Sequence, residues 1–201
     1  LGVRDTQKQA TRGRVLAAAR DLFDAAGFEA TTTRQIADRA GVAVGSVFTT
    51  FASKAEILSQ VMVDRLEALY AELERVAPHL RGPTVDRLRS LMAIHYSFEM
   101  RRARLFVAYI AASYGWPLDG AVTPLGQNKR LQEMLGEQLR RGIEAGDVRP
   151  DADVPLFIEA LLAAYFWNYR RVVQEGADAA ALTAIMDRQL GLLFEGVAAR
   201  P

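Results

Sequence analysis

Apolar residues return at helical spacing through most of the chain. In residues 8–26, Val15, Ala19, Leu22 and Ala26 recur every three or four positions, with Leu16 and Phe23 beside them and Gly27 closing the run. That period predicts a first helix. Thr31 to Lys54 predicts two short helices joined by a tight turn. Thr32 stands three residues before Gln35, the capping-box spacing. Ile36, Ala37 and Ala40 give the first short helix one apolar face. Gly41 tolerates positive φ, so that helix can stop there. A second short helix follows from about Val44 to Phe51, with Val47 and Phe51 one turn apart. Ser53 and Glu56 repeat the capping-box spacing and open a long helix at Lys54. Its stripe is Leu58, Val61, Met62, Leu66, Leu69 and Leu73, and Pro78 stops it.

The remaining pattern is helical too. Residues 84–101 put Val85, Leu88, Met92 and His95 on one face. Residues 103–114 are apolar nearly all round, which predicts a central, buried helix. Thr123 caps and Pro124 opens a helix to about Ala145, with Leu131, Met134, Leu135, Leu139 and Ile143 as its core face. Asp153 caps a helix over 154–175, whose Leu156, Phe157, Leu161, Tyr165 and Phe166 leave few polar sides. Apolar on two faces, it needs two partners: its own core and a second subunit. Asp178 starts a last helix with the stripe Leu182, Ile185, Met186, Leu190, Leu193 and Val197. No strand run or internal repeat interrupts this, so the fold class is all-α with about nine helices. Leu1 to Gln7 reads as a loose arm, whose Arg4 and the following Lys8 and Arg12 suit phosphates or a minor groove as well as plain solvent.

Ala37, then Gly41 four later, then Val47 six after that, is helix-turn-helix spacing. Ala37 lets two helices approach, Gly41 makes the turn and Val47 fills the gap. The second helix then presents Val44, Gly45, Ser46, Phe48, Thr49 and Thr50, mostly small or hydroxyl-bearing. Such a face can approach the major groove closely, and threonine methyl or hydroxyl groups can touch base edges. An ordinary helical hairpin inside a bundle has the same spacing.

The stretch GFEATTTRQIADRAGVAVGSVFTTFASKAEIL resembles the DNA-binding signature of the TetR/AcrR family of bacterial transcriptional regulators. The likeness is carried by Gly27-Phe28, the Thr run, Ile36-Ala37, Ala40-Gly41-Val42, Gly45-Ser46-Val47-Phe48, Phe51, and Ser53-Lys54 before Glu56, and covers residues 10–60. The resemblance implies a homodimer, with two N-terminal reading heads and helical C-terminal domains for effector binding and dimerisation through the last two helices. It places Lys54 near a phosphate contact. Three positions depart from the family pattern and bear on the operator sequence. Ala43 stands where a capping Ser is frequent, Phe48 replaces a frequent Tyr, and Thr49 and Thr50 replace a common His or Tyr pair.

Composition narrows the classes further. With 201 residues, half of them hydrophobic, the chain can bury an ample core and is unlike a disordered segment. Cysteine is absent, which removes disulfides and thiol catalysis and suits a reducing cytoplasm. Apolar runs fall short of the roughly 20 residues that span a bilayer, so no membrane partner is expected, and no secretory pattern opens the chain. Net charge is only +1, but residues 1–55 hold eight Lys or Arg against five acids, while the rest holds 17 against 19. A mildly basic head on a mildly acidic body fits phosphate contact at one end.

The two histidines, His79 and His95, stand outside any metal-ligand motif, so neither a metal nor a cofactor is expected. No G-x-S-x-G or P-loop pattern occurs. Glu99 follows His95 by one turn, a pairing that suits acid–base work or a polar contact in a cavity. Aromatic, Met and occasional polar residues along the middle helices have the composition of a small-molecule site. Its candidates are His95, Glu99, Tyr109, Trp116, Met134, Phe166 and Asn168. The polar ones stand out, because polar groups on apolar helices need a reason.

Together these features predict a non-enzymatic, sequence-specific DNA-binding regulator. A helix-turn-helix domain (1–53) would precede an effector-binding and dimerisation domain (54–201). The DNA set is Thr32, Thr33, Arg34, Val44, Gly45, Ser46, Phe48, Thr49, Thr50 and Lys54, reading an inverted repeat in double-stranded DNA. A small hydrophobic or aromatic effector would release it. A ligand-independent architectural protein or activator of the same fold, and a helical enzyme with a borrowed head, are the rival readings.

Overall fold

The computed structural model describes residues 3–113 and 129–199. Among them every extended element is a helix: α1 (Val3–Ala26), α2 (Thr33–Ala40), α3 (Val44–Thr50), α4 (Lys54–Val76), α5 (Thr84–Glu99), α6 (Ala103–Ser113), α7 (Lys129–Ala145), α8 (Val154–Asn168), α9 (Arg170–Glu175) and α10 (Ala179–Glu195). Short 3-10 turns follow α4 and α5, and Val148 makes an isolated antiparallel bridge with Ala198. The all-α expectation holds. Thr123, Pro124 and Trp116 lie outside the described residues.

Two compact units form. One gathers residues up to Glu67 with α6 from Arg104 on, and the other gathers Ala68–Ala103 with α7 to α10. The helix α4 contributes residues to both.

In the first unit α1 packs on α2 and α3, and α2 packs on α3. Val15, Ala19 and Phe23 meet Ile36, Ala37, Ala40, Val47 and Phe51 in a fully buried core. Each large member contributes about 1.5–3 kcal/mol by leaving water. The Phe23 and Phe28 rings meet edge to face at 5.3 Å, which fixes the loop after α1. Three expectations change here. The arm before residue 8 is helical from Val3, continuous with α1. Arg12 is held inside the unit: its guanidinium donates to Gln60 Oε1 at 2.6 Å and lies 4.6 Å over the Phe51 ring. In α6 only one face is buried, through Leu105, Phe106 and Tyr109, while Ala111 is exposed.

In the second unit α5 packs along α10 and α7, and α8 packs on α7 and α10. Asp153 and Asp178 cap α8 and α10, accepting from Leu156 N at 3.1 Å and Ala181 N at 2.8 Å. The helix expected over 154–175 is broken. Tyr169 N donates to Phe166 O, a tightened turn that separates α8 from α9. The start of α5 is capped from far away: Asp147 accepts from Thr84 N at 2.6 Å and from the Thr84 hydroxyl at 2.8 Å. That contact needs Gly142, because a Cβ there would collide with Thr84 Oγ1, Val148 and Asp147. Arg87 is buried beneath it and spends its guanidinium on Gln138 Oε1 (3.0 Å), Gly82 O (2.6 Å) and Thr84 Oγ1 (2.7 Å).

Candidate nucleic-acid interface and buried polar cluster

The helix pair α2–α3 is fixed by short-range chemistry. Thr32 N donates to Gln35 Oε1 at 2.8 Å and Gln35 N donates to Thr32 Oγ1 at 3.2 Å, a complete capping box. Thr33 and Arg34 occupy the first turn of α2, with Arg34 exposed. Gly41 ends that helix at φ 63°, ψ 42°, the left-handed geometry a side chain would resist. At the start of α3, Ala43 offers no side-chain cap.

The helix α3 buries Val47 and turns the rest outward. Gly45, Phe48 and Thr49 are exposed, and Val44, Ser46 and Thr50 are half-buried. Phe48 is 57% exposed, a large apolar residue turned mostly to solvent. Thr49 and Thr50 hydroxyls donate to Ser46 O at 3.0 and 2.7 Å. Their protons are thereby committed, and their oxygens are left as acceptors toward an approaching donor. The helix carries no charged side chain. Arg39 on α2 is paired with Asp21 at 3.0 Å.

Lys54 does something the sequence did not suggest. Its ammonium donates to Phe28 O at 2.7 Å, Thr31 O at 2.9 Å and Glu29 O at 3.4 Å, and lies 4.3 Å over the Phe28 ring. All three protons are directed at the main chain that leads into α2. These bonds tie the start of α4 to the main chain ahead of α2.

A second cluster lies in the body. His95 is 2% exposed, and its Nδ1 meets Tyr165 Oη at 2.7 Å. Tyr165 Oη meets Tyr169 Oη at 2.9 Å. Tyr96 donates to Tyr165 O at 3.3 Å and accepts from Asn168 Nδ2 at 3.1 Å. Asn168 and Gln189 exchange amide bonds at 2.7 and 3.2 Å, joining α8 to α10. Burial presses the His95 pKa down to about 3, and it raises the Tyr96 and Tyr165 hydroxyls. The imidazole is therefore neutral. Glu99 is fully buried one turn further along α5.

The other effector candidates are dispersed. Phe166 packs edge to face on Tyr165 at 5.0 Å and also lines a groove of about 860 Å3 between α7 and α8, with Gly136, Ile158 and Leu162. Met134 borders a separate hollow of about 420 Å3 beside Ala77, Pro78 and Arg141. Tyr109 belongs to α6, in the first unit, stacked on Phe106 at 6.1 Å. No group of three or more potential metal ligands occurs among the described residues.

Residues 15–61 match the sequence profile of the bacterial regulatory proteins, tetR family. The HTH-type transcriptional repressor KstR2 of Mycobacterium tuberculosis is 32% identical over 151 residues, which is 75% of each chain. This chain belongs to the TetR family. Among solved structures, FadR of Thermus thermophilus, a TetR family repressor in complex with lauroyl-CoA, is 26% identical with a TM-score of 0.70 over 94% of this chain and 96% of that one. RolR, in complex with resorcinol, superimposes with a TM-score of 0.71 over 97% of this chain and 91% of that one, and at 15% identity it speaks for the fold alone.

The TetR-family assignment settles the coarse function. The protein is a DNA-binding transcriptional regulator with a helix-turn-helix, and its relatives are regulators rather than enzymes. No described helix is long and apolar enough to cross a membrane. For this TetR-family chain, local sequence gave the capping box, the turn glycine and the outward face of α3. It did not give Lys54 its carbonyl partners or His95 its tyrosines. The available signal for the latter was the i, i+4 spacing of Tyr165 and Tyr169 on a helix already rich in aromatics.

Proposed function

We propose that this TetR-family regulator is a homodimeric repressor that reads an inverted-repeat operator and leaves it when a small hydrophobic effector occupies the body. The observation that carries the reading is the capped α2–α3 pair with an uncharged, small-residue face turned outward. In this reading Val44, Gly45, Ser46, Phe48, Thr49 and Thr50 face the bases, and Thr32, Thr33 and Arg34 face phosphates through hydroxyl, amide and guanidinium groups. Lys54 acts behind them by holding the loop. Residues 1–53 form the reading domain, and 54–201 form the effector and dimer domain.

Dimerisation is supported by what α8 and α10 leave uncovered. Leu156, Ala163 and Trp167 make one exposed stripe, and Ala181, Ala184, Arg188 and Leu192 make another. Leu156, Trp167 and Leu192 are 60%, 63% and 73% exposed. Two such helices and their twofold mates form a four-helix interface. Two heads related by that axis would enter grooves about 34 Å apart. The lauroyl-CoA held by FadR supports a long apolar effector, and the effector can shift DNA affinity only through its differential affinity for two conformations. The setting is the cytoplasm.

Sedimentation equilibrium tests the assembly. The wild type should sediment as a dimer, and Leu192→Arg with Trp167→Asp should sediment as a folded monomer that no longer retains operator DNA. A double variant that stays dimeric, or a monomeric wild type that binds an inverted repeat, would refute the proposed interface.

A further inference from the structure

We propose that His95 is the polar anchor of the effector site, and that it selects a ligand whose anchoring group is a neutral oxygen (a hydroxyl, or a ketone or thioester carbonyl) over one that ends in a carboxylate. This rests on the effector reading above and narrows it to a chemical class.

The two nitrogens of His95 are treated differently. Nδ1 is fixed by Tyr165 Oη at 2.7 Å, and Tyr165 is backed by Tyr169 at 2.9 Å. The rings of Tyr70 and Tyr165 flank the imidazole at centroid distances of 6.1 and 5.1 Å. Nε2 is buried and has no hydrogen-bond partner among the described residues. A nitrogen that has lost water and gained nothing destabilises the fold. Phenylalanine or leucine would fill the same space without that cost. A ring oriented through one nitrogen and left without a hydrogen bond at the other has the arrangement of a histidine able to meet a ligand.

The tyrosine pair lets Nε2 take either role. When Tyr165 donates to Nδ1, Nε2 carries the ring proton and donates to a carbonyl. When Tyr165 donates to Tyr169, Nδ1 keeps the proton and Nε2 accepts from a hydroxyl. The hydrogen bonds described around His95 include no Lys or Arg. Burial keeps the imidazole neutral. Glu99 is fully buried on the same helix, and its charge already bears on Tyr165. Arg130 stands 5.4 Å over the Tyr70 ring, but Glu74 holds its guanidinium at 2.8 and 2.9 Å. A ligand carboxylate buried there would pay desolvation without a cation to offset it.

Calorimetric titration of the full chain with decanol, methyl nonyl ketone and decanoate at about pH 7, where decanoate is ionised, tests this. Decanol and the ketone should bind at least about tenfold more tightly than decanoate, the scale of one hydrogen bond made or left unmade. Two variants separate the ring nitrogens. His95→Asn places a polar atom near Nδ1 and keeps the Tyr165 contact, but reaches no further. His95→Gln reaches the Nε2 position. The preference should vanish in the first and survive in the second. Equal binding of decanoate, an unchanged preference in His95→Asn, or no binding of any probe by folded protein would overturn the proposal. Release of bound DNA reads the effector role separately. Decanol that binds with the stated preference but leaves DNA bound refutes that role and leaves the anchor standing. A compound that releases DNA without any oxygen preference does the reverse.

Discussion

Lys54 Nζ donates to the Thr31 carbonyl at 2.9 Å, across 23 residues of chain. The first residue of α4 is thereby tied to the residue that precedes the Thr32 cap of α2, and the Phe28 carbonyl at 2.7 Å shares the clamp. Lys54→Ala should therefore weaken binding to all DNA sequences and lower the melting temperature, by about 1–2 kcal/mol of stability. The slope of log K against log salt should stay unchanged. A flattening by about one unit would instead show a neutralised phosphate.

Thr49 keeps an acceptor oxygen and a methyl group pointing outward while its proton is spent on Ser46 O. Thr49→Ala should change base preference at one position per half-site, by ~1–3 kcal/mol if both groups are used. Competition between single-base variants of the operator measures it. An unaltered ranking removes Thr49 from the reading set.

Ala43 sits at the N-cap of α3 in extended backbone at φ −66°, ψ 144°, without a capping side chain. Ala43→Ser should supply one and stabilise the protein by about 0.5–1 kcal/mol, seen as a raised midpoint in urea unfolding. An unchanged midpoint would mean the serine hydroxyl does not reach the α3 amides.

The fold was legible where its causes are local. The Thr32–Gln35 box, Gly41, Asp153 and Asp178 stand within a few residues of the groups they satisfy, and the stripes of α5 and α10 need only their own period. What was not legible depends on distant partners. Asp147 caps α5 across 63 residues, and Arg12 meets Gln60 across 48. The break at Tyr169 falls inside an unbroken apolar pattern, so periodicity runs straight through it. Asn168 looked like a ligand contact because it is polar on an apolar helix. It bonds Tyr96, which is buried, and Gln189, which is half-buried, and neither partner could be read from its own helix.

Gly142 leaves room for Asp147 to reach Thr84, where a Cβ would meet both. Gly142→Ala should force the carboxylate from the α5 terminus and cost about 1–3 kcal/mol. The check is unfolding in urea beside Asp147→Asn, which should lose a similar share. Additive losses in the double variant would contradict a shared mechanism.

His95 makes stability depend on acid. Its folded pKa is about 3, against about 6.5 when unfolded, so between those values the unfolded chain binds the extra proton. Stability from this group is complete above about pH 6.5 and falls as pH drops toward about 3, with a limiting slope of about 1.4 kcal/mol per pH unit. Urea unfolding from about pH 7 to pH 5 should show a shallower loss in His95→Asn than in wild type. Parallel curves would mean that His95 takes up its proton equally in the folded and unfolded chain.

Selection of bound duplexes from a random DNA pool, at near-physiological salt, bears most directly on the central claim that paired α3 helices read DNA. Enrichment of an inverted repeat with half-sites one helical turn apart is the predicted result. A folded, dimeric protein that enriches no sequence, or a single half-site alone, would contradict it.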